Sequence, residues 1–437
     1  MVGILGLVVG TIILIVGAYK GLAALPLTML AGIVVILSNG MDIWNTFSGP
    51  FMTGYVGFFM SFFLIFASSA LYAKIMEESG AAMAIGYKFI DWFGAKRAVL
   101  VVFVATAALT YGGISLFVVV FAISPIIMIL FNEANIPRRL AMGPLLAGAA
   151  TFTMKSLPGS PQLTNVVPTN FLGTTLTAAP VIGIISAVIM FCIQVVYLNW
   201  EERRLKALGE GFTFIPGTNE DAYKVSRDQL PSAFKSFLPM IVVVGMIVGL
   251  RNIITPAAPL VVLSMLVASA LALILFWDKI PSLKNIVNSG TGGAITAIAA
   301  PAAIVGFGAI VQATPSFTTI VENLLAMNMN TYLIAAIAPS IIAGITGSSS
   351  GGLLISMQSL YEQFLYSGAN LEIIHRISAM FAGTLDTLPH SPGLFLMFSY
   401  LGITHKEGYR FVLWGTVVIP TIVGIGILFA VMLLFPY

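Results

Sequence analysis

The chain has 437 residues, of which 58% are hydrophobic and only 8% are charged. A soluble domain has roughly 25% charged residues, so this composition excludes both a water-soluble globule and a disordered chain. The net charge of +3 is too small and too scattered for a nucleic-acid partner. A single cysteine and three histidines argue against a disulfide framework and a zinc enzyme. We expect no cofactor.

The chain begins with an apolar run, and further membrane spans follow along it. A transmembrane helix needs about 20 mostly apolar residues. No basic segment precedes the run 1–19 and no small-x-small cleavage site follows it, so we expect a retained first span and not a removable signal. The other clear candidate spans are 22–39, 56–79, 178–199, 236–250, 257–277, 291–312 and 411–435. Amphipathic surface helices are predicted at about 80–95 and 315–329, and a solvated cytoplasmic linker at 200–235.

Four longer apolar segments are interrupted at their centres. Gly/Ser clusters interrupt 99–132 and 331–366, and prolines interrupt 137–175 and 372–403. Basic residues flank the first Gly/Ser segment on both sides, whereas 285–375 contains no Lys or Arg. By the positive-inside rule, each Gly/Ser segment therefore enters and leaves on one face, as a re-entrant hairpin. The count closes at ten spans and two hairpins, with both termini outside the cell.

The two proline-interrupted segments contain an internal repeat. Residues 153–163 match residues 384–394 in the pattern T-x-[KD]-[ST]-L-P-x-S-P-x-L. Each half has five crossings, an odd number, so the second half must be inverted relative to the first. We predict an all-α polytopic membrane protein with two inverted repeats, 1–199 and 236–437. Scaffold spans lie at 1–79 in the first repeat and at 236–312 in the second.

This architecture is typical of secondary transporters. Irregular backbone at membrane depth survives only when it is buried in protein or lines a wet cavity. Two hairpin tips and two proline breaks are irregular here, and we predict that they meet near the bilayer midplane in one polar pocket. Helix N-termini that point into such a pocket favour an anion.

Three ionisable residues of the breaks are candidates for function. Lys155 and Asp386 occupy the same repeat position with opposite charge. Lys155 could attract a substrate carboxylate while Asp386 carries a proton, or the two could form a buried ion pair that joins the halves. His390 lies within the second break, where an imidazole could bind substrate, exchange a coupled proton or stay neutral as a hydrogen-bond donor. His375 and His405 are expected at the surface.

Hydroxyl groups and glycines cluster at the four irregular points. The hydroxyls could bind a hydroxylated carboxylate or could cap broken backbone, and the glycines allow backbone amides to approach a ligand. Asn165, just past the first break, is a further candidate. The predicted substrate-binding residues, besides Lys155 and His390, are Thr110, Gly112, Gly113, Ser115, Ser156, Ser160, Thr346, Ser348, Ser349, Ser350, Gly351, Thr387 and Ser391.

Several motifs resemble those of the gluconate permease (gluconate:proton symporter) family. Residues 346–352, 375–376 and 383–390 resemble its C-terminal motifs, and 135–140 is similar to its N-terminal half. The Leu-Pro-Gly-Ser-Pro-Gln break at 157–162 looks closest to the branch that includes 3-hydroxybutyrate permeases. The resemblance implies the fold of the ion-transporter superfamily, in which a homodimeric scaffold carries a mobile transport domain that works as an elevator.

Repeat and resemblance together predict a symporter in the cytoplasmic membrane. It would import a small hydroxy-monocarboxylate with a proton bound at Asp386 or His390. Sodium coupling is an alternative, because carbonyls and hydroxyls at hairpin tips can hold sodium. An anion channel or a membrane-integrated enzyme is the alternative of another class, although the sequence offers no nucleophile or metal motif for an enzyme.

Overall fold

A computed structural model describes residues 2–112, 116–160, 162–215, 227–250, 253–254, 257–325 and 329–436. Over these residues the chain is helical and contains no strand, as expected for the predicted class. The α-helices of the first half are α1 (Val2–Tyr19), α2 (Ala24–Ser38), α3 (Ile43–Thr46), α4 (Met52–Glu78), α5 (Ala81–Phe93), α6 (Ala98–Tyr111), α7 (Leu116–Glu133), α8 (Met142–Ala149), α9 (Phe152–Lys155), α10 (Leu163–Leu172) and α11 (Pro180–Ala207).

The second half follows a similar order. Its α-helices are α12 (Ala233–Leu250), α13 (Ala257–Leu275), α14 (Leu283–Gln312), α15 (Pro315–Leu325), α16 (Thr331–Thr346), α17 (Ser349–Tyr366), α18 (Leu371–Phe381), α19 (Pro392–Tyr400), α20 (His405–Val412) and α21 (Ile419–Leu434). A π-helical segment, Leu413–Val418, joins α20 to α21. Among the described helices, six are long and apolar enough to cross a membrane, or seven if a bent pair counts as one span. The predicted total of ten spans stays a prediction.

The predicted scaffold spans pack as one layer. Helices α4 and α14 lie side by side; α2 packs on α14 and α1 on α2, while α13 packs on α4 and α12 on α13. Close approach of α4 and α14 depends on small residues, since a Cβ at Gly54 would lie only 2.9 Å from the Val305 carbonyl oxygen. This is how small residues bring helix backbones together in a bilayer, where no water drives association.

A surface helix precedes the first hairpin. Helix α5 and the helical segment Ala95–Tyr111 are bent by 98° at Gly94, whose φ of +78° is a conformation that glycine adopts readily. Within α5 the buried residues are small and cluster at the start, whereas Trp92 and Phe93 are exposed. The bend fits the prediction of an amphipathic helix that lies across the direction of the hairpin.

Both Gly/Ser-centred segments form pairs of packed helices. Helix α6 packs against α7, and α16 against α17, with bounds that nearly coincide with the predicted 99–132 and 331–366. The second pair turns at Gly347 (φ +65°). Its arms are so close that a Cβ at Gly352 would lie 2.4 Å from the Ala343 amide nitrogen. Whether the pairs re-enter the membrane stays a prediction.

The hairpins and the interrupted helices form a second body, which we call the core and define as residues 98–207 and 331–434. Each first hairpin arm packs in its own half, α6 on α8 and α16 on α18, whereas each second arm packs across halves, α17 on α10 and α7 on α19. Helix α11 packs on α21, and buried Glu201 accepts hydrogen bonds from Arg204 (2.7 Å) and Arg410 (2.8 Å). Because α11 continues to Ala207, the first residues of the predicted linker are helical.

Candidate functional site

The first interrupted segment loses helical geometry over seven residues. Helix α9 ends at Lys155 and α10 begins at Leu163. Between them, Gly159 has a φ of +81° and its amide donates to the Leu176 carbonyl oxygen (2.8 Å). Proline at 158 cannot donate a backbone hydrogen bond and disfavours helical geometry before it. Pro161 lies outside the described residues.

The second interrupted segment breaks at the equivalent motif. Helix α18 ends at Phe381 and α19 begins at Pro392, the favoured position for proline in a first helical turn. The intervening residues form successive turns, one of which closes with a hydrogen bond from the Ser391 amide to the Leu388 carbonyl oxygen (2.8 Å). Both predicted breaks are therefore present.

The two breaks are joined by a buried ion pair. Lys155 Nζ lies 3.0 Å from Asp386 Oδ2 and also donates to the Gly383 carbonyl oxygen at 3.0 Å. The side chains are 3% and 8% exposed. This is the ion-pair alternative given above for these two residues. Glycine at position 383 leaves room for the lysine, because a Cβ there would lie 2.1 Å from Lys155 Nζ and would displace that side chain.

Each hairpin tip touches the break of its own half. The Tyr111 hydroxyl donates to the Pro158 carbonyl oxygen (3.0 Å), and Gln162 Nε2 donates to the Thr110 carbonyl oxygen (2.8 Å). At the other tip, Ser391 Oγ donates to the Gly347 carbonyl oxygen (3.0 Å). The contacts therefore run without interruption from the first hairpin tip, through the two breaks, to the second hairpin tip. The candidates Gly113 and Ser115 lie outside the described residues.

The predicted hydroxyls divide into paired and unpaired groups. Ser348 caps α17 by accepting from the Gly351 amide, Thr346 donates to the Ile342 carbonyl oxygen, and Thr387 bonds to Thr416 in the last span (2.6 Å). Ser349 is buried, Ser350 is half-buried and Gly112 directly follows α6. Of the predicted hydroxyls, three are buried and have no hydrogen-bond partner among the described residues, and all three belong to the first tip and the first break: Thr110, Ser156 and Ser160.

The second break contributes further unpaired polar atoms. Asp386 Oδ1 and both ring nitrogens of His390 are buried and make no hydrogen bond of normal geometry with a described residue. The polar groups beside the His390 ring are the carbonyls of Gly344 and Ile345, so a proton added to the ring would face carbonyl oxygens. Buried polar atoms are rarely left unpaired in proteins, and this concentration indicates a place for the polar groups of a ligand.

The expectation that His375 and His405 lie at the surface is wrong. His405 is 5% exposed, and its Nε2 lies 3.0 Å from the Pro389 carbonyl oxygen. Its ring packs between Phe395 and Phe398, with centroid distances of 4.7 and 4.4 Å. His405 therefore supports the second break from behind. Its position near the end of an apolar segment suggested solvation, but the two rings of α19 and the Tyr19 ring of α1 cover it.

His375 belongs to a buried network that the sequence did not reveal. Its Nδ1 lies 2.7 Å from Thr174 Oγ1 and its Nε2 lies 3.0 Å from Asn165 Oδ1. The same Asn165 oxygen accepts from Arg376 Nη1 (3.0 Å), and Asn165 Nδ2 donates to the Ser160 carbonyl oxygen (2.8 Å). Asn165, predicted as a candidate, thus fastens the first break to α18. The signal available in the sequence was a His-Arg pair within an apolar helix.

Known proteins with similar sequences are described as permeases or transporters. The sequence profile of the family described as GntP family permease matches residues 1–435, a range that includes both hairpins, both breaks and all the candidate residues. The chain is similar to a protein of Bacillus subtilis (strain 168) described as the uncharacterized transporter YxjC. The two are 34% identical over 432 residues, which cover 90% of this chain and 91% of that relative.

Proposed function

The chain belongs to the GntP family of permeases, and from this premise we propose that it imports a small hydroxy-monocarboxylate, of the 3-hydroxybutyrate type, together with a proton. One observation carries the proposal: the buried Lys155–Asp386 pair joins two interrupted helices and is bordered by unpaired polar atoms. A buried ion pair is weak evidence for stability, whereas charge at membrane depth is usually functional.

The substrate class follows from the donors and acceptors that surround the pair. Unpaired hydroxyls at Thr110, Ser156 and Ser160 can donate to a carboxylate without adding a fixed charge. Asp386 Oδ1 and His390 can bond to a hydroxyl group of the same molecule. A short acid that carries both groups would satisfy the two sets at once, which favours a hydroxy acid over a plain fatty acid.

Coupling follows from an exchange of partners at Lys155. When Asp386 takes up a proton, its hold on the ammonium group weakens, and Lys155 turns to the substrate carboxylate. Lys155 and Asp386 together carry one positive and one negative charge before loading, and Lys155 and the substrate carboxylate carry one of each after Asp386 has taken up the proton. Because the net charge of the site is the same in both states, neither state pays an added electrostatic cost for moving through the bilayer.

Alternating access is supported by a difference between the two second hairpin arms. Helix α7 is buried along most of its length and packs on α4, with ring centroids of Phe117 and Phe62 5.2 Å apart. The equivalent helix α17 exposes Gln358, Ser359 and Glu362. Polar side chains such as these do not face lipid, so they line a water-filled vestibule. With the sides assigned by the positive-inside rule, the vestibule opens outward.

The inverted repeat explains why a single chain can adopt both access states. Packing of α1 on α2, α6 on α8 and α7 on α19 is matched by α12 on α13, α16 on α18 and α17 on α10. Helix α7 packs on α4, but α17 does not pack on α14 to a similar extent. Both α14 and α17 lie entirely within the described residues. In the inward state the core moves so that α17 packs on α14 and α7 is released. A homodimeric scaffold would stay fixed.

Uptake into proteoliposomes tests the proposed function. Radiolabelled 3-hydroxybutyrate should accumulate when the outside is acidified, and an ionophore that collapses the pH gradient should abolish accumulation. Asp386→Asn should lose pH-driven accumulation while the protein stays folded. Accumulation that ignores pH but requires sodium would replace the proton by sodium. Absence of uptake of any short hydroxy acid would refute the substrate class.

Paired cysteine substitutions test the elevator motion. Phe62→Cys with Phe117→Cys joins α4 to the core, whereas Phe171→Cys with Tyr361→Cys joins α10 to α17 inside the core, where the ring centroids lie 5.8 Å apart. In a Cys192→Ala background, a bifunctional thiol reagent should stop uptake only in the first pair. Equal inhibition of both pairs, or of neither, would refute movement of the core against α4.

A further inference from the structure

Arg376 is a buried cation that forms no ion pair with any carboxylate among the described residues. It is 0% exposed, and its guanidinium donates to the Ala178 carbonyl oxygen (2.8 Å), the Leu176 carbonyl oxygen (3.4 Å) and Asn165 Oδ1 (3.0 Å). No ion pair is present for it within the described part of the chain. Glu372, one turn earlier on α18, is exposed and accepts from the Ala179 amide instead.

The neighbouring histidine does not change this charge. Asn165 Nδ2 donates to two carbonyl oxygens, of Ser160 and Leu176, both at 2.8 Å, which fixes its Oδ1 toward His375 and Arg376. His375 Nε2 must therefore carry the hydrogen that it donates to Oδ1, and Nδ1 accepts from the Thr174 hydroxyl. Both ring nitrogens are satisfied in the neutral tautomer.

Arg138 in the other half shows that an arginine can bind a distant backbone carbonyl while acidic residues lie near its charge. Arg138, before the first break, likewise donates to a carbonyl beyond the other half's broken helix, at Gly402 (3.0 Å). It lines a cavity of about 270 Å³ together with Glu210 and Glu407. Arg138 thus shares a cavity with two acids, whereas Arg376 binds carbonyl oxygens directly and meets the exposed Glu372 carboxylate only across the Ala178–Ala179 peptide.

The uncompensated charge lies next to the unpaired hydroxyls. Asn165 is the one residue between the guanidinium and the Ser160 carbonyl, with hydrogen bonds of 3.0 and 2.8 Å on its two sides. Those lengths place the cation within roughly 8 Å of the first break. In a site shielded from water, a full charge at that range has a large effect on the affinity for an ion.

We infer that Arg376 is the residue that makes this site selective for an organic anion, which it attracts without touching it, while Asn165 transmits its position to the first break. The inference rests on the proposed function and adds the source of charge selectivity. Lys155 cannot supply this selectivity in the empty site, since Asp386 neutralises it. Arg376 is therefore a positioning residue whose charge and fork-shaped donor set act together.

Two variants separate charge from structure. Arg376→Gln removes the charge, and Arg376→Lys keeps it but loses the planar fork. Binding of 3-hydroxybutyrate and of its neutral amide is measured on purified protein at neutral pH, where a carboxylic acid of ordinary pKa is ionised and the substrate therefore carries its charge. Arg376→Gln should weaken binding of the acid by on the order of 10- to 50-fold and leave binding of the amide within about twofold of wild type. Arg376→Lys should keep most of the preference for the acid.

The outcomes distinguish this inference from the proposed function. Thermal unfolding in detergent shows whether each variant folds. If Arg376→Gln unfolds, the comparison rests on Arg376→Lys and on Asn165→Asp, which places a negative charge beside the guanidinium and should reduce binding of the acid more than that of the amide. Equal losses for acid and amide would overturn the inference while the proposed function stands. Failure of wild-type protein to bind either compound would overturn the proposed function itself.

Discussion

Replacing Gly383 by alanine tests the ion pair without removing either charge. A Cβ at this position would lie 1.9 Å from Lys155 Cδ and 2.1 Å from Lys155 Nζ, distances that no real structure allows. Lys155 must therefore move away from the Gly383 carbonyl and from Asp386. Gly393→Ala is the matched control, because its Cβ would meet only Leu116 Cδ2, at an ordinary 3.9 Å.

The magnitude follows from the burial of the pair. Lys155 and Asp386 are 3% and 8% exposed, and isolating one member of a buried pair costs about 3–5 kcal/mol. Opening the contact while keeping both groups should cost somewhat less, about 2–4 kcal/mol of unfolding free energy. The control should change it by less than about 0.5 kcal/mol. Uptake should fall by at least about tenfold, since 1.4 kcal/mol in the barrier is tenfold in rate.

The unfolding free energy in detergent and the rate of uptake are both measured for Gly383→Ala, in a double-mutant cycle. In a Lys155→Ala, Asp386→Asn background the long side chain is gone and the Cβ at Gly383 has room. The alanine should then cost less than about 1 kcal/mol. A cost that is the same in both backgrounds would mean that Gly383 acts through its own backbone, and the argument built on the Lys155 contact would be refuted.

Other predictions concern the vestibule, the network and a paired hydroxyl. In a Cys192→Ala background, Ser359→Cys should react with a membrane-impermeant maleimide from outside, while Ser124→Cys on buried α7 should not; equal labelling would contradict the asymmetry. Asn165→Ala should lower the unfolding free energy by about 2–4 kcal/mol in a denaturant titration, because it strands buried donors of Arg376 and His375. Thr387→Val should cost about 1 kcal/mol and leave the KM of uptake unchanged.

The features that could be predicted depend on residues that lie close together in the sequence. Gly/Ser clusters and Leu-Pro motifs located the turns at Gly347 and the two breaks, because glycine and proline restrict the backbone wherever they occur. The internal match gave Lys155 and Asp386 the same position in two segments, and the structure brings them into contact. That pairing could be anticipated as one of two alternatives because opposite charges at membrane depth need partners.

The features that could not be predicted depend on partners far along the chain. Arg376 is held by carbonyls near residue 178, and His405 by the carbonyl of Pro389 behind a turn. The sequence of an apolar segment does not show which backbone carbonyls of the other half will lie beside it. His375 and His405 lie near the ends of such segments, where solvated side chains are the usual case. That assumption failed because Asn165 and Thr174 of the first half bind His375, and aromatic rings of α19 and α1 cover His405.

The kinds of contact in the molecule favour movement of the core as a unit. Inside the core the halves are joined by directional polar contacts, from Lys155 to Asp386, from Arg138 to the Gly402 carbonyl and from Arg376 to Asn165. Opening the core would strand buried charges. The aromatic contacts between α4 and α7 are instead tilted or edge-to-face ring pairs, which lack directional hydrogen bonds and can slide at lower cost. These contacts support the proposed displacement of the core over a separation of the two breaks, because separating the breaks would strand the buried Lys155–Asp386 pair.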